Sequence, residues 1–228
     1  MTSDLLLLPG LICDDRLWRD VTAGLGVPAR VADLTQDDSI AAMAARTLAN
    51  APARFALAGL SMGGYVALEI MRQAPERVTH LALLDTSARP DDDARKQTRR
   101  SGMAAVREGK FGLVSRAMLP GLLAPAHLES ALAEEVQAMS ERVGPDAYLR
   151  QQAAIMGRVD SRPTLAQITV PALVGVGELD KLTPPELAEE IAAGIAGATL
   201  VQFAGSGHLS TMENPDAVVA AMKEWLAR

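Results

Sequence analysis

The chain has 228 residues, a single cysteine, and 22 Lys+Arg against 28 Asp+Glu, for a formal charge of −6. That length supports one substantial core, the acidic balance argues against nucleic acid as a partner, and one cysteine excludes an internal disulfide or a thiolate-rich metal site. Leu5-Leu6-Leu7-Leu8 follows Asp4 and is closed by Pro9-Gly10, too short and wrongly flanked for an export signal, and no later run reaches membrane-spanning length. A cytoplasmic protein that does not engage the membrane is expected.

The apolar run at residues 4–8 reads as a first strand, and the loop after it, Pro9-Gly10-Leu11-Ile12, has the position and the glycine to present the Leu11 N–H as a donor. A second strand is predicted at 29–34, followed by a helical face of Ile40, Met43, Ala44 and Leu48. The third strand, 54–58, runs into Gly59-Leu60-Ser61-Met62-Gly63-Gly64, after which Val66, Ala67, Ile70 and Met71 share a helical face. Strand, turn and helix in this order are the context of a nucleophile elbow. The chain must reverse so sharply that the Ser61 hydroxyl projects alone, and glycine at 59 and 63 removes side chains that would collide across the turn. Met62 then begins the helix, and its N–H is an orphan donor aimed at developing negative charge.

A fourth strand, 78–84, contains His80, where a structural role is expected, and ends at Asp85. From 90 to 168 no strand candidate occurs. Helical stretches there are broken at Gly109, Pro120-Gly121, Pro125 and Gly144-Pro145, and the interval, which contains His127, reads as a lid inserted at the strands' C-terminal edge, where ligands of open α/β sheets bind. Residues 1–89 and 169–228 would then form the core domain. Met103, Phe111, Leu113, Met118, Leu119, Leu122, Leu123, Met139 and Met156 suit a roof over a small or medium apolar chain, although helical spacing fits a plain lid core for most of them. Arg95, Lys96, Arg99 and Arg100 read as a solvated helix face, with contact to an acidic partner as the alternative.

The fifth strand, 170–176, leads to Gly177-Glu178-Leu179-Asp180, and Thr183-Pro184-Pro185-Glu186 has the pattern of a capping threonine, a first-turn proline and a glutamate three residues after the cap. The sixth strand, 198–203, precedes Gly205-Ser206-Gly207-His208. Asn214-Pro215-Asp216 opens a last helix whose face is Val218, Ala221, Met222, Trp225 and Leu226. Strands alternating with helices imply a mainly parallel sheet, its strands buried on both faces by flanking helices.

A serine hydroxyl is a weak nucleophile at neutral pH and needs a base within hydrogen-bond reach and a carboxylate to orient that base. Of the three histidines, His208 lies in a loop able to carry its side chain over the sheet edge. Asp180 follows a strand on the same edge as Ser61 and is the first candidate acid. Asp85 ends a strand there too and stays open as the alternative, with Glu178 behind both. Cys13 reads as a packing residue. The scattered histidines and lone cysteine offer no metal-ligand spacing, so metal catalysis is not expected.

Gly59-Leu60-Ser61-Met62-Gly63-Gly64, Gly177-Glu178-Leu179-Asp180 and Ser206-Gly207-His208-Leu209-Ser210, with Leu8-Pro9-Gly10-Leu11, resemble the α/β-hydrolase superfamily. Within it they are most similar to the small carboxylesterase, enol-lactonase and pimeloyl-carrier-protein esterase branch. The chain order Ser61, Asp180, His208 is the one such proteins show. The resemblance covers nearly the whole chain, with one departure: the first loop usually begins His-Gly, and here it is Pro9-Gly10. It implies the α/β-hydrolase fold and a cofactor-free serine hydrolase acting on a small-molecule ester. Ser61 would carry the acyl group, His208 would act as base and then acid, and the Leu11 and Met62 amides would hold the oxyanion. Lactone and thioester or carrier-protein ester hydrolysis are the alternative chemistries, and a receptor of the same fold with little turnover is the competing class. Leu60 and Leu209 stand where carbon–carbon hydrolases of the fold often have Asn and Trp, and Ser61 stands where dehalogenases and epoxide hydrolases have aspartate. The early donor loop implies that the antiparallel strands leading larger relatives are missing. Oligomeric state is left open.

Overall fold

The computed structural model describes residues 4–228. Its strands are β1 (Leu5–Leu8), β2 (Ala29–Val31), β3 (Phe55–Leu60), β4 (Val78–Leu84), β5 (Ala172–Gly177) and β6 (Thr199–Phe203). All pair in parallel, in the order β2-β1-β3-β4-β5-β6. The helices are α1 (Arg19–Leu25), α2 (Ile40–Asn50), α3 (Met62–Gln73), α4 (Asp93–Arg107), α5 (Phe111–Leu122), α6 (Ala131–Met156), α7 (Arg162–Leu165), α8 (Pro185–Gly194), α9 (Ser210–Glu213) and α10 (Pro215–Leu226). None is long and apolar enough to cross a membrane.

Alternation along each strand explains why four consecutive leucines open the sheet. Leu6 and Leu8 point to one face and pack with Met43, Val66 and Ile70 of α2 and α3. Leu5 and Leu7 point to the other and pack with Trp18, Val21, Met222 and Trp225 beneath α1 and α10. The helices thus sandwich the sheet, and the inner strands β1, β3, β4 and β5 are almost fully buried.

The outer strands depart from the expectation of two buried faces. β2 and β6 are only partly covered, and Leu200 is 42% exposed, because each closes one edge of the sheet and lacks a neighbouring strand on its outer flank.

Two local features bear on the site. β3 continues to Leu60, past the predicted end at residue 58, so the strand feeds directly into Ser61. The capping pattern at Thr183 is a misreading of local sequence: α8 starts at Pro185, Pro184 is the N-cap, and the Thr183 hydroxyl donates to Asp180 Oδ2 at 2.7 Å. A carboxylate three residues away outcompetes the helix end for that hydroxyl. Asn214 does cap its helix, accepting from the Ala217 N–H.

Between β4 and β5 the chain is helical. α6 carries a break at Gly144, φ 81 and ψ 172, immediately before Pro145. Glycine takes that positive φ without a Cβ penalty, and the following proline cannot donate to the preceding turn.

Candidate active site

Ser61 alone makes the reversal between β3 and α3, with φ 56 and ψ −114. A residue with a Cβ is strained there, so its surroundings must hold it. The Ser61 N–H donates to the Leu84 carbonyl at 3.0 Å. Its own carbonyl accepts from the Gly64 N–H at 2.9 Å and from Thr86 Oγ1 at 2.8 Å. A Cβ on Gly59 would overlap the Gly63 backbone across the turn, as the sequence implies. Gly63 serves a different purpose from the one expected: a Cβ there would strike the Leu8 carbonyl of β1, and one on Gly64 would strike Thr86. These glycines let the first turn of α3 settle onto the sheet.

The imidazole of His208 sits between two oxygens. Its Nε2 is 2.8 Å from Ser61 Oγ, and its Nδ1 is 2.8 Å from Asp180 Oδ2. A carboxylate can only accept, so Nδ1 carries the proton and Nε2 presents a lone pair to the serine hydroxyl. The other Asp180 oxygen, Oδ1, accepts from the Leu182 and Thr183 N–H groups at 2.8 and 3.0 Å. Burial works to raise the Asp180 pKa, but the His208 charge, the His208 hydrogen bond and the Thr183 donors prevail and hold it below the usual carboxylate value. For His208 burial pulls down, yet the Asp180 charge and hydrogen bond push its pKa above the usual imidazole value.

Asp85, the alternative acid, lies just behind this pair without a hydrogen bond to His208 among the described residues. It is fully buried, with a backbone φ of 45. Its Oδ1 accepts from the Gly177 N–H at 2.8 Å, and Oδ2 is in close contact with the Ser210 hydroxyl. Burial first, and then the nearby charge of Asp180, push its pKa up to about 8. That shift favours the neutral acid, which bridges the ends of the segments that carry Asp180 and His208. Glu178 turns away and accepts from the Gly205 N–H at 2.9 Å.

Glu213 steadies the histidine loop from the other side. One of its oxygens accepts from the Gly207 and Leu209 N–H groups at 2.9 and 3.2 Å, and the other accepts from the Ala124 N–H at 2.7 Å. The His208 N–H donates to the Leu122 carbonyl at 3.0 Å.

The N–H groups of Leu11 and Met62 make no hydrogen bond among the described residues. In the same loop Ile12 has a φ of 50, a left-handed conformation costly for a β-branched residue. Its N–H donates at 2.9 Å to Oε1 of Gln151, a fully buried side chain of α6 whose amide donates in turn to the Leu34 carbonyl at 3.1 Å. Cys13 is buried, and burial, with the neighbouring Asp14 charge, pushes its thiol up to about 12, so it is no thiolate nucleophile.

The other histidines stand apart. His80 packs edge-on against Trp225, 5.7 Å between ring centres, with Nδ1 against Thr79 Oγ1. His127 lies in a 3-10 turn after Pro125. No group of three or more His, Cys, Asp or Glu among the described residues is placed to hold a metal ion.

Ser61 and His208 open into a cavity of about 690 Å³, walled by Val114, Ala117, Met118 and Leu122 of α5 and by Tyr148, Gln152 and Ile155 of α6, with part of α4 at its margin. Of the apolar residues singled out in 90–168, Met118 and Leu122 reach this cavity, Met103, Leu123 and Met139 are buried, and Leu113 is 70% exposed. The basic stretch is not a uniformly solvated face. Arg99 turns inward to Asp91, Nε to Oδ2 at 2.6 Å, and to Gln152 Oε1 at 2.9 Å.

The profile of the alpha/beta hydrolase family matches residues 5–221. A pimeloyl-[acyl-carrier protein] methyl ester esterase of Aliivibrio salmonicida is 25% identical, over 98% of this chain and 92% of that protein. A thermophilic esterase from Thermogutta terrifontis superposes with a TM-score of 0.90 at 30% identity, covering 99% of this chain and 89% of the other. The enol-lactonase of Burkholderia xenovorans LB400 superposes with a TM-score of 0.87 at 24% identity, over 100% and 92%, a likeness of fold.

Proposed function

The chain belongs to the α/β-hydrolase family, and from that premise we propose that it hydrolyses carboxylic esters through an acyl-enzyme on Ser61. The observation that carries this reading is the His208 ring held between Ser61 Oγ and the Asp180 carboxylate, 2.8 Å at each end. Nε2 takes the hydroxyl proton as Oγ attacks the ester carbonyl, and the imidazolium that forms is stabilised by Asp180. The tetrahedral oxyanion rests on the Leu11 and Met62 N–H groups, each worth about 3 kcal/mol in the transition state. His208 then protonates the departing alcohol, and water activated by the same base releases the acid and restores Ser61. Residues 90–168 act as the lid over the core of 1–89 and 169–228 and exclude bulk water from the acyl-enzyme.

A small-molecule ester is the proposed substrate, with lactones and carrier-protein esters or thioesters as alternatives that share the acyl-enzyme. The single cysteine, buried and unpaired, fits the proposed cytoplasmic setting. Turnover of short p-nitrophenyl esters, with burst kinetics and covalent labelling by a fluorophosphonate, tests the reading. Ser61→Ala should abolish all three. Stabilisation by a ligand without repeated turnover would instead assign the fold to a receptor.

A further inference from the structure

Two guanidinium groups share one carboxylate beside the cavity. Asp91, whose side chain is wholly buried, accepts from Arg158 Nη2 on Oδ1 at 2.8 Å and from Arg99 Nε on Oδ2 at 2.6 Å. Burial alone would raise its pKa, but the two arginines hold it below the usual value, so it remains an anion. Arg158 is saturated: its remaining nitrogens donate to the Arg89 and Ile155 carbonyls, and its plane lies 4.3 Å over the Tyr65 ring. Arg99 is not. Its Nε and Nη1 are engaged, whereas Nη2 has no partner among the described residues, and the side chain lines the cavity with a fifth of its surface exposed.

Two cations against one anion leave one positive charge at the wall, and a charge withdrawn from water calls for a counter-ion. The rest of the lining repeats the bias. Arg95 and Lys181 stand at the margin, and no Asp or Glu among the described residues lines the cavity, in a chain whose net charge is −6. Asp92 lies nearby but is exposed and committed to capping α4 through the Arg95 N–H. A positive wall in the same cavity as the nucleophile, roofed by apolar α5, fits an acyl chain that ends in a carboxylate.

Resting on the ester-hydrolase reading, we propose that the cavity selects half-esters of dicarboxylic acids, with the free carboxylate held by Arg99 and drawn in by Arg95 and Lys181. Arg99 is thus a specificity residue, and Asp91, Arg158 and Gln152 fix its fork in place.

The test compares monomethyl adipate with methyl hexanoate, matched in acyl length and differing in the terminal carboxylate, by pH-stat titration. Wild type should prefer the half-ester in kcat/KM. In Arg99→Gln the ratio of the two kcat/KM values should fall about tenfold or more, the usual weight of a charge-assisted hydrogen bond, and Arg99→Lys should restore part of it. Calorimetry on Ser61→Ala should show adipate binding, weakened by salt, where methyl hexanoate, which has no free carboxylate, binds far less. Equal loss on both esters in Arg99→Gln would make the arginine a mere tie between α4 and α6, and inorganic phosphate binding in place of adipate would refute the carboxylate assignment. Turnover of both esters without preference, and without adipate binding, overturns the subsite and leaves the esterase reading standing. Adipate binding through Arg99 with no turnover of either ester does the reverse.

Discussion

Replacing Asp180 by asparagine changes a single atom, and the surroundings dictate how the new side chain sits. The Leu182 and Thr183 N–H groups at Oδ1 require an acceptor, so the amide oxygen takes that side. The amide NH2 then occupies the place of Oδ2, facing His208 Nδ1 and Thr183 Oγ1. A donor opposite Nδ1 selects the tautomer protonated on Nε2, which points an N–H at Ser61 Oγ and has no lone pair to receive its proton. Loss of the base together with imidazolium stabilisation costs about 10⁴-fold in kcat, equivalent to ~5 kcal/mol. Asp85→Asn is the matched control. Its oxygen can still accept from Gly177 and its NH2 can donate to Ser210, reproducing the neutral acid, so kcat at pH 7 should stay within about threefold of wild type. Initial rates on a p-nitrophenyl ester, with circular dichroism confirming the fold of each variant, decide the matter. A Asp180→Asn enzyme retaining a tenth of wild-type activity, or a collapse confined to Asp85→Asn, would refute the assignment of the acid.

The acid limb of kcat/KM against pH should lie above the usual imidazole value of 6.5, because Asp180 raises the His208 pKa and the base works only when neutral; a limb below that value would contradict the coupling. Asp85 gives a separate signature in stability: its folded pKa of about 8 exceeds the ordinary 3.8, so the folded state binds the extra proton and stability declines as pH rises from about 4 to about 8. Asp85→Asn removes that decline, and its Tm relative to wild type should climb from pH 5 to pH 9; a constant offset would show that Asp85 is not the titrating group. Gly63→Ala should destabilise by ~1–3 kcal/mol and displace the elbow, since its Cβ meets the Leu8 carbonyl, whereas Gly112→Ala, with open space around it, should be neutral or slightly stabilising. Chemical denaturation of both variants checks this pair.

What could be read in advance was local. The elbow was legible because its demands fall within six consecutive residues, and the structure brings Ser61, Asp180 and His208 into hydrogen-bond contact at the ends of strands that apolar runs had marked. Illegible were side chains whose partners lie far along the chain. Gln151 holds the Ile12 N–H from 139 residues away, and Arg158 reaches Asp91 across 67. Gln151 sits in the polar helical stretch Arg150-Gln151-Gln152, which looks solvated in sequence, and Arg158 lies just past the end of α6. Thr183 shows the opposite failure: its neighbours satisfied the rule for a helix cap, while Asp180 gave its hydroxyl a better use. The partial exposure of β2 and β6 also follows from strand order, which no single run encodes.

Glu213 ties the backbone on both sides of His208 to the residue that follows Leu123, so the end of α5 and the imidazole form one mechanical piece. Lifting α5 like a flap would drag Nε2 off the hydroxyl. Any opening of the cavity that keeps Ser61 and His208 in contact must therefore leave the end of α5 in place.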